Sequence, residues 1–344
     1  MTASSGKRRR LNVGLIGLGR LGRVYARDLA TRIPETRLVA VSDVNKALAA
    51  EIAEEFDVSG AYESPSDLIQ DRTVDAVVVA SPTHTHREIV VAAVERRKAT
   101  FCEKPLALSL QESRQIQDAV SRSGAFFQMG FMRRFDPGYV AGKRQIDEGH
   151  VGTPVVFKST SRDPYRPSLE YANPASSGGI LVDMGIHDFD LARWFMGDVA
   201  TVSAVGGTLA YPELASVGDL DNAIATMVFT SGCLGVVDLT RNGYYGYDIS
   251  TEILGTQGTV RIGYLRETPI LMMTKNSVAH DTVPYFMERF ERAYTLQLQN
   301  FARNVLADRD PPVTAVDGVE ALRVALAATA ACRSGQPVAV SSIT

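Results

Sequence analysis

The chain has 344 residues, 45% of them hydrophobic and 22% charged. That length exceeds one ordinary core, so two domains are expected, and the composition is that of a soluble globular protein. A formal net charge of −3 gives no reason to expect a nucleic-acid partner, and no apolar run reaches the ~18 residues of a membrane span.

Residues 1–10, MTASSGKRRR, come first. Arginines ahead of an apolar run could mimic a twin-arginine leader. Here the run is short and feeds straight into a glycine motif, so the segment reads as a flexible basic tail. LNVGLIG is strand-like, and GLGRLG and the helical pattern RLGRVYARDLATRI follow it. RLVAVSD is the next strand and NKALAAEIAEEF the next helix. VDAVVVAS is apolar throughout, as a strand buried on both faces should be. THREIVVAAVERR is helical, and ATFCEKP and AFFQMGF are strands separated by LSLQESRQIQDAVSRSG. This alternation predicts an α/β domain over residues 11–131, a doubly wound parallel sheet of Rossmann type.

From about residue 150 the pattern changes. TPVVFKSTSRDP and VATVSAVGG read as strands. NAIATMVFTSGCLGVVDLTRN reads as a hairpin turning at Ser231 and Gly232, and ISTEILGTQGTVRIG as another turning at Gln257 and Gly258. FMERFERAYTLQLQNFARNVLADRD and DGVEALRVALAATAACRSG are helical, the second ending at Gly335. An α+β domain with a large open antiparallel sheet is expected over residues 132–344. Helices on one face leave the other face needing cover, a physical reason to expect an oligomer.

Gly17, Gly19 and Gly22 form G-x-G-x-x-G at the first strand–helix junction. The first glycine permits a tight turn. The second lets a pyrophosphate approach the backbone, and the third lets helix pack on strand. Arg20 and Leu21 then open the helix whose N-terminus would face the phosphates. Asp43 ends the second strand, where an acidic residue would bind the adenosine ribose hydroxyls. A plain turn with incidental glycines would leave Asp43 unexplained. Its carboxylate would repel a 2′-phosphate and the adjacent Val44 carries no positive charge, so NAD is favoured over NADP, with Lys46 the one nearby residue arguing otherwise.

Ligands of such sheets bind beyond the carboxyl ends of the strands. SPTHTH (81–86) and CEKP (102–105) should arrive there. Ser81, Pro82, Thr83, His86 and Glu103 are candidate cofactor contacts. His84 and His86 look metal-like, but no acidic or cysteine cluster joins them, and no metal is expected. Lys104, also a candidate cofactor contact, could hydrogen-bond a substrate hydroxyl and favour the alkoxide as hydride leaves. Cys102, Cys233 and Cys332 have no short-spaced partners, which suggests a reducing cytoplasm.

DMGIHDFD (183–190) places three carboxylates around His187. In a helix Asp183 and His187 share a face, and Asp190 falls on it seven residues on. Read alone, this is either surface capping with salt bridges or a proton-handling site. Asp188 is expected at the surface and Asp190 in a structural or orienting role.

GLIGLGRLG, SPTHTHREIV, EKPLAL and GGILVDMGIHDFDLARW, in this order, resemble the glucose–fructose oxidoreductase/inositol dehydrogenase/rhizopine catabolism (Gfo/Idh/MocA) family over nearly the whole chain. QMGFMRRFDPGY and the Asp43–Val44 pair look most like its inositol 2-dehydrogenase branch. The resemblance implies an NAD-dependent dehydrogenase of a cyclic polyol or sugar, commonly a homotetramer. It implies that Lys104, Asp183 and His187 surround the reacting carbon. His187 would be the general base, since a pKa near neutrality suits that work. Asp183 would hold a neighbouring hydroxyl and stabilise the protonated imidazole. myo-Inositol, giving the 2-keto product, is the first expectation, with scyllo-inositol, chiro-inositol and pyranose sugars as sister substrates. The rival of another class is a non-catalytic NAD-binding sensor, which would have no need of all three residues.

Further substrate contacts are expected at Met132, Arg133, Asp163, Tyr165, Asn173 and Tyr244. Arg133 either donates to several hydroxyls or is a surface arginine beside Arg134. The loop SRDPYRP, with Asp163 and Tyr165, either gates a pocket or crosses between domains. Tyr244 in RNGYYGYD either stacks on a ring or packs.

Overall fold

In the computed structural model residues 9–344 are described, so residues 1–8 of the expected basic tail lie outside the described residues. Six strands build the sheet of the first unit. They are β1 (Leu11–Ile16), β2 (Thr36–Ser42), β3 (Gly60–Tyr62), β4 (Ala76–Val79), β5 (Ala99–Glu103) and β6 (Phe127–Gly130). All pairs are parallel, in the order β3-β2-β1-β4-β5-β6. β4 and β5 are buried along their whole length, and β4 accordingly reads as an unbroken apolar run. The order reverses between β1 and β4, the switch point at which such sheets bind ligands.

The connecting helices are α1 (Arg20–Arg27), α2 (Lys46–Glu55), α3 (Pro65–Gln70), α4 (His86–Glu95) and α5 (Leu110–Ser123). Local chemistry sets their ends. Asn45 caps α2, accepting from Leu48 N–H. Ser109 caps α5, its Oγ accepting from Glu112 N–H and donating to Glu112 Oε2, and Gly124, at φ +62°, ends it. The first helical pattern is shorter than expected: α1 stops at Arg27 and the chain continues as a π-helical segment, Asp28–Arg32.

The second unit opens with α6 (Pro137–Asp147) and β7 (Pro154–Arg162). The short helices α7 (Leu169–Ala172), α8 (Pro174–Ser177) and α9 (Ile180–Asp183) lead into α10 (Gly185–Met196). Then come β8 (Val199–Gly207), β9 (Asn222–Phe229), β10 (Leu234–Thr240), β11 (Asp248–Gly255), β12 (Thr259–Ile262), the pair β13 (Met272–Met273) and β14 (Val278–Ala279), and finally β15 (Val338–Ala339). The main sheet runs β12-β11-β7-β10-β9-β8-β15. Both hairpins turn where expected, with Gly232 at φ +84° in the first.

The sheet is not antiparallel throughout, because β7 and β10 pair in parallel. The chain leaves β7 for the helices and two further strands before returning beside it, and a crossover of that kind brings strands together in parallel. α10 packs on β7 and β10. Along β9, Ala223, Ala225, Met227 and Phe229 face the core while Ile224, Thr226 and Val228 face out.

Two long helices follow, α11 (Phe286–Ala307) and α12 (Ala315–Ser334). They divide between the two compact units. Residues Tyr294–Val319 cluster with residues up to Phe131, and the second unit is Met132–Ala293 with Glu320–Thr344. The cause is aromatic packing. Tyr294 meets Tyr25 edge-on at 6.1 Å, and Phe301 meets Phe101 at 5.9 Å. Gln297 Nε2 also donates to the Tyr25 hydroxyl at 2.6 Å. Among the described residues no helix is long and apolar enough to cross a membrane.

Candidate functional site

In the first unit the glycine loop lies at the switch point. Gly17 has φ +90°, and a Cβ there would stand 2.5 Å from Ser81 N. A Cβ on Gly22 would stand 2.0 Å from Gly17 O, so only glycine lets helix and loop approach. A Cβ on Gly19 would meet nothing within 4 Å. That open space lies at the N-terminus of α1, beside Arg20 and Leu21, where backbone N–H groups have no partner within the helix. Asp43 Oδ2 accepts from Leu18 N–H at 2.8 Å and Oδ1 from Asn45 N–H at 2.9 Å. A carboxylate has about four acceptor sites, so Asp43 can brace the loop and still take a ribose diol. Val44 is 84% exposed beside it. The open face at Gly19 and the spare acceptor capacity of Asp43 fit a dinucleotide.

The next loop leaves β4. Pro82 is exposed, Thr83 opens a 3-10 turn, and Ser81 Oγ lies 2.7 Å from Thr85 Oγ1. Two expected cofactor contacts have other partners. His86 is buried, with Nδ1 2.9 Å from Pro105 O and Nε2 2.9 Å from Ser81 O. Its ring is turned to two backbone carbonyls and ties two loops together. Burial pulls its pKa below the ordinary value against the opposing pull of those carbonyls. Glu103 is also buried, and its carboxylate takes the Tyr25 hydroxyl, the Gln297 amide at 3.3 Å and Lys104 N–H at 3.2 Å. Burial pushes its pKa up. Glu103 therefore braces the backbone that carries the half-buried Lys104.

In the second unit the helix expected through DMGIHDFD is two segments. Asp183 ends α9, Met184 interrupts the pattern at φ −88° and ψ −51°, and His187 lies in the first turn of α10. The dihedrals at Met184 stay helical, so Asp183 and His187 remain about one turn apart. Tyr171 Oη donates to Asp183 Oδ1 at 2.9 Å, and Arg241 Nη2 lies 3.4 Å from Oδ2. Arg241 Nη1 lies 3.0 Å from Asp219 Oδ2, and Asp219 Oδ1 accepts from Ile180 N–H at 2.9 Å. The Asp183 carboxylate drives the Tyr171 phenol well above its ordinary pKa, and burial pushes the Asp219 carboxyl up. Tyr171, Asp219 and Arg241 were invisible to sequence reasoning. An arginine just past a strand reads as a surface charge, and nothing local marks this one as wholly buried.

Other expectations need correcting. Asp188 is fully buried rather than at the surface, because α10 is enclosed on every side from Gly185 to Ala192. Its carboxylate takes Arg133 Nη1 at 2.7 Å and the hydroxyls of Ser159 and Ser161. Arg133 Nη2 donates to Ser161 Oγ at 3.1 Å. Arg133 is thus not a surface arginine: Nη1 and Nη2 both bond within this core. Met132 is buried as well. Asp190 is buried and forked by Arg134 at 2.5 and 2.9 Å.

The remaining residues lie on loops. Asp163 O accepts from Gly243 N–H and its own N–H donates to Thr240 O, which joins the 161–167 and 241–248 loops. Tyr165 is half exposed and stacks on Tyr285 at 4.8 Å. Asn173 caps α8 through Ala175 N–H, and Tyr244 is 75% exposed.

Residues 11–131 match the oxidoreductase family GFO_IDH_MocA, NAD-binding Rossmann fold, and residues 143–340 match its C-terminal alpha/beta domain. The chain is 40% identical over 325 residues to the scyllo-inositol 2-dehydrogenase (NAD(+)) of Bacillus subtilis (strain 168), covering 94% of each. It is 39% identical over 320 residues to a myo-inositol 2-dehydrogenase of Thermotoga maritima, covering 92% of this chain and 95% of the relative. Among solved structures, the scyllo-inositol dehydrogenase of Lactobacillus casei with bound NAD(H) and scyllo-inositol superposes with a TM-score of 0.93 at 33% identity, over 97% of this chain and 100% of that one.

Proposed function

Because the chain belongs to the Gfo/Idh/MocA oxidoreductase family, we propose that it is an NAD-dependent inositol 2-dehydrogenase. It oxidises one secondary ring hydroxyl of a cyclic polyol to a ketone. myo-Inositol is the first substrate to try and scyllo-inositol the second, since relatives of both kinds stand at similar identity. The observation that carries the reading is the Asp183–His187 pair, one helical turn apart, in a chain that also has the glycine loop braced by Asp43.

NAD supplies the hydride acceptor when bound. Gly17, Gly19, Gly22 and the N–H groups of Arg20 and Leu21 hold its pyrophosphate, and Asp43 takes the adenosine ribose. Ser81, Pro82 and Thr83 line its path. His187 takes the hydroxyl proton on a ring nitrogen. Asp183 steadies the protonated imidazole and holds a neighbouring hydroxyl. Lys104 Nζ donates to the oxygen on which negative charge develops.

A homotetramer in a reducing cytoplasm completes the reading. Its support is the outward face of the second sheet. Leu254, Val156, Leu234 and Val228 stand in register across four strands, and Val205 stands opposite Ile224. Five of these six are exposed apolar side chains, a patch suited to a second copy. The three cysteines are free thiols.

The test is NADH formation at 340 nm with a panel of inositol stereoisomers and pyranose sugars, NAD and NADP run in parallel. Fast NAD reduction with one inositol is expected. Activity confined to sugars would remove the inositol assignment, and silence with NAD still bound would favour the sensor. His187→Ala should abolish turnover and leave NAD affinity intact.

A further inference from the structure

α9 is only four residues long, and both its ends are tied to one buried pair. At its start, Ile180 N–H donates to Asp219 Oδ1. Gly179, at φ +76°, permits that approach, since a Cβ there would stand 2.8 Å from the same oxygen. At its end, Asp183 Oδ2 meets Arg241 Nη2. Arg241 closes the ring by setting Nη1 3.0 Å from Asp219 Oδ2. Arg241 is among the largest fully buried side chains, and Asp219 is buried with it. Asp183, by contrast, keeps part of its side chain open to solvent.

A guanidinium withdrawn from water is tolerated only when paired. Asp219 pairs with it from the interior and leaves the other side of the fork for Asp183. Tyr171 meanwhile donates to the second Asp183 oxygen. We propose that Arg241 is a positioning residue of the active site: anchored by Asp219, it orients the Asp183 carboxylate, one helical turn from His187. This rests on the function proposed above. The charged and titratable groups around Asp183 are Tyr171 on α7, which itself faces Tyr285 ahead of α11, Asp219 ahead of β9 and Arg241 after β10, with His187 one turn on along α10. Arg241 is the cation in that set at every working pH.

The experiment is the pH profile of kcat/KM from about pH 5 to 10 on the best inositol. Wild type, Arg241→Met, Arg241→Lys and Asp219→Asn would be compared, with NAD affinity and thermal unfolding measured alongside. Removing the cation should move the acidic limb of Arg241→Met up by about one pH unit, with NAD affinity unchanged. Arg241→Lys should hold the limb near its wild-type position and lower kcat, since the charge stays and the fork is lost. Asp219→Asn should move the limb down, because Arg241 then serves one carboxylate. A uniform loss of activity with the limb unmoved in Arg241→Met would overturn the inference. Should Arg241→Met fail to fold, a limb displaced upward in Asp219→Asn would overturn it. A wild type silent on the whole panel would remove the proposed function and this inference together. An active wild type with an unmoved limb would remove this inference alone.

Discussion

Arg133 and Asp188 form an ion pair enclosed in the second unit, with Nη1 2.7 Å from Oδ1 and both side chains almost wholly buried. They are 55 residues apart, and Asp188 immediately follows His187. The pair is completed by Ser159 and Ser161 from β7, so it seats α10 on the sheet. Breaking one partner leaves an uncompensated charge. Asp188→Ala should cost about 3–5 kcal/mol, whereas Arg133→Met with Asp188→Leu should recover most of that loss. Urea unfolding of the three chains checks this, and a double variant as weak as the single one would contradict it.

Gly19 and Gly22 should separate folding from cofactor binding. Space is open around Gly19 and closed around Gly22. Gly19→Ala should keep the thermal midpoint and weaken NAD binding on the order of 10-fold or more, because the methyl occupies the pyrophosphate approach. Gly22→Ala should lower both, since its methyl collides with Gly17 O. Calorimetry with and without NAD distinguishes the two. Equal loss of thermal stability in both variants would refute the account.

Asp43 braces Leu18 N–H, and under the proposed function its charge also excludes a 2′-phosphate. Asp43→Ser with Val44→Arg should shift the kcat/KM ratio towards NADP, since a repelling charge is replaced by an attracting one. The serine hydroxyl is shorter than the carboxylate, so the loop loses its brace. Total activity should therefore fall even as preference turns. An unchanged NAD/NADP ratio would sink the argument.

Asp221 makes a prediction about pH. Burial opposes its charge, but N–H groups of Leu209, Tyr211 and Ala210 and the Asn222 amide win and hold its pKa below the ordinary value. A carboxyl depressed on folding stabilises the native state above its unfolded pKa, near 4, and the contribution fades as pH falls through the folded value. Asp221→Asn should thus cost about 2 kcal/mol at pH 7, with the gap to wild type closing below about pH 4. Chemical unfolding at pH 7 and pH 3 decides the matter, and a gap independent of pH would count against a charge effect.

Much of the first unit was legible locally. Alternating β and α patterns, the strand–glycine–helix junction and Asp43 at the end of β2 depend on neighbours in sequence, and the structure reproduces them. The two hairpins were equally readable, because turn residues and period-two alternation act over a few positions. Local rules also placed Asp183 and His187 one turn apart, though not the interruption at Met184.

Other features needed the tertiary structure. His86 and Glu103 looked like cofactor contacts because they stand at strand ends, yet carbonyls and a tyrosine hydroxyl from elsewhere in the fold claim them. Tyr294–Val319 returns to the first unit because aromatic faces meet there, and helical periodicity marks an apolar stripe without saying which core receives it. By itself the sequence determined the principal strands and helices of the first unit and where the glycine loop forms, since dihedral preference and hydrophobic period are short-range. Only the folded chain decided that Arg133 belongs to Asp188 and Arg241 to Asp183 and Asp219. Such charges find partners through the packing of distant elements, and the need to compensate them arises only once water has been excluded.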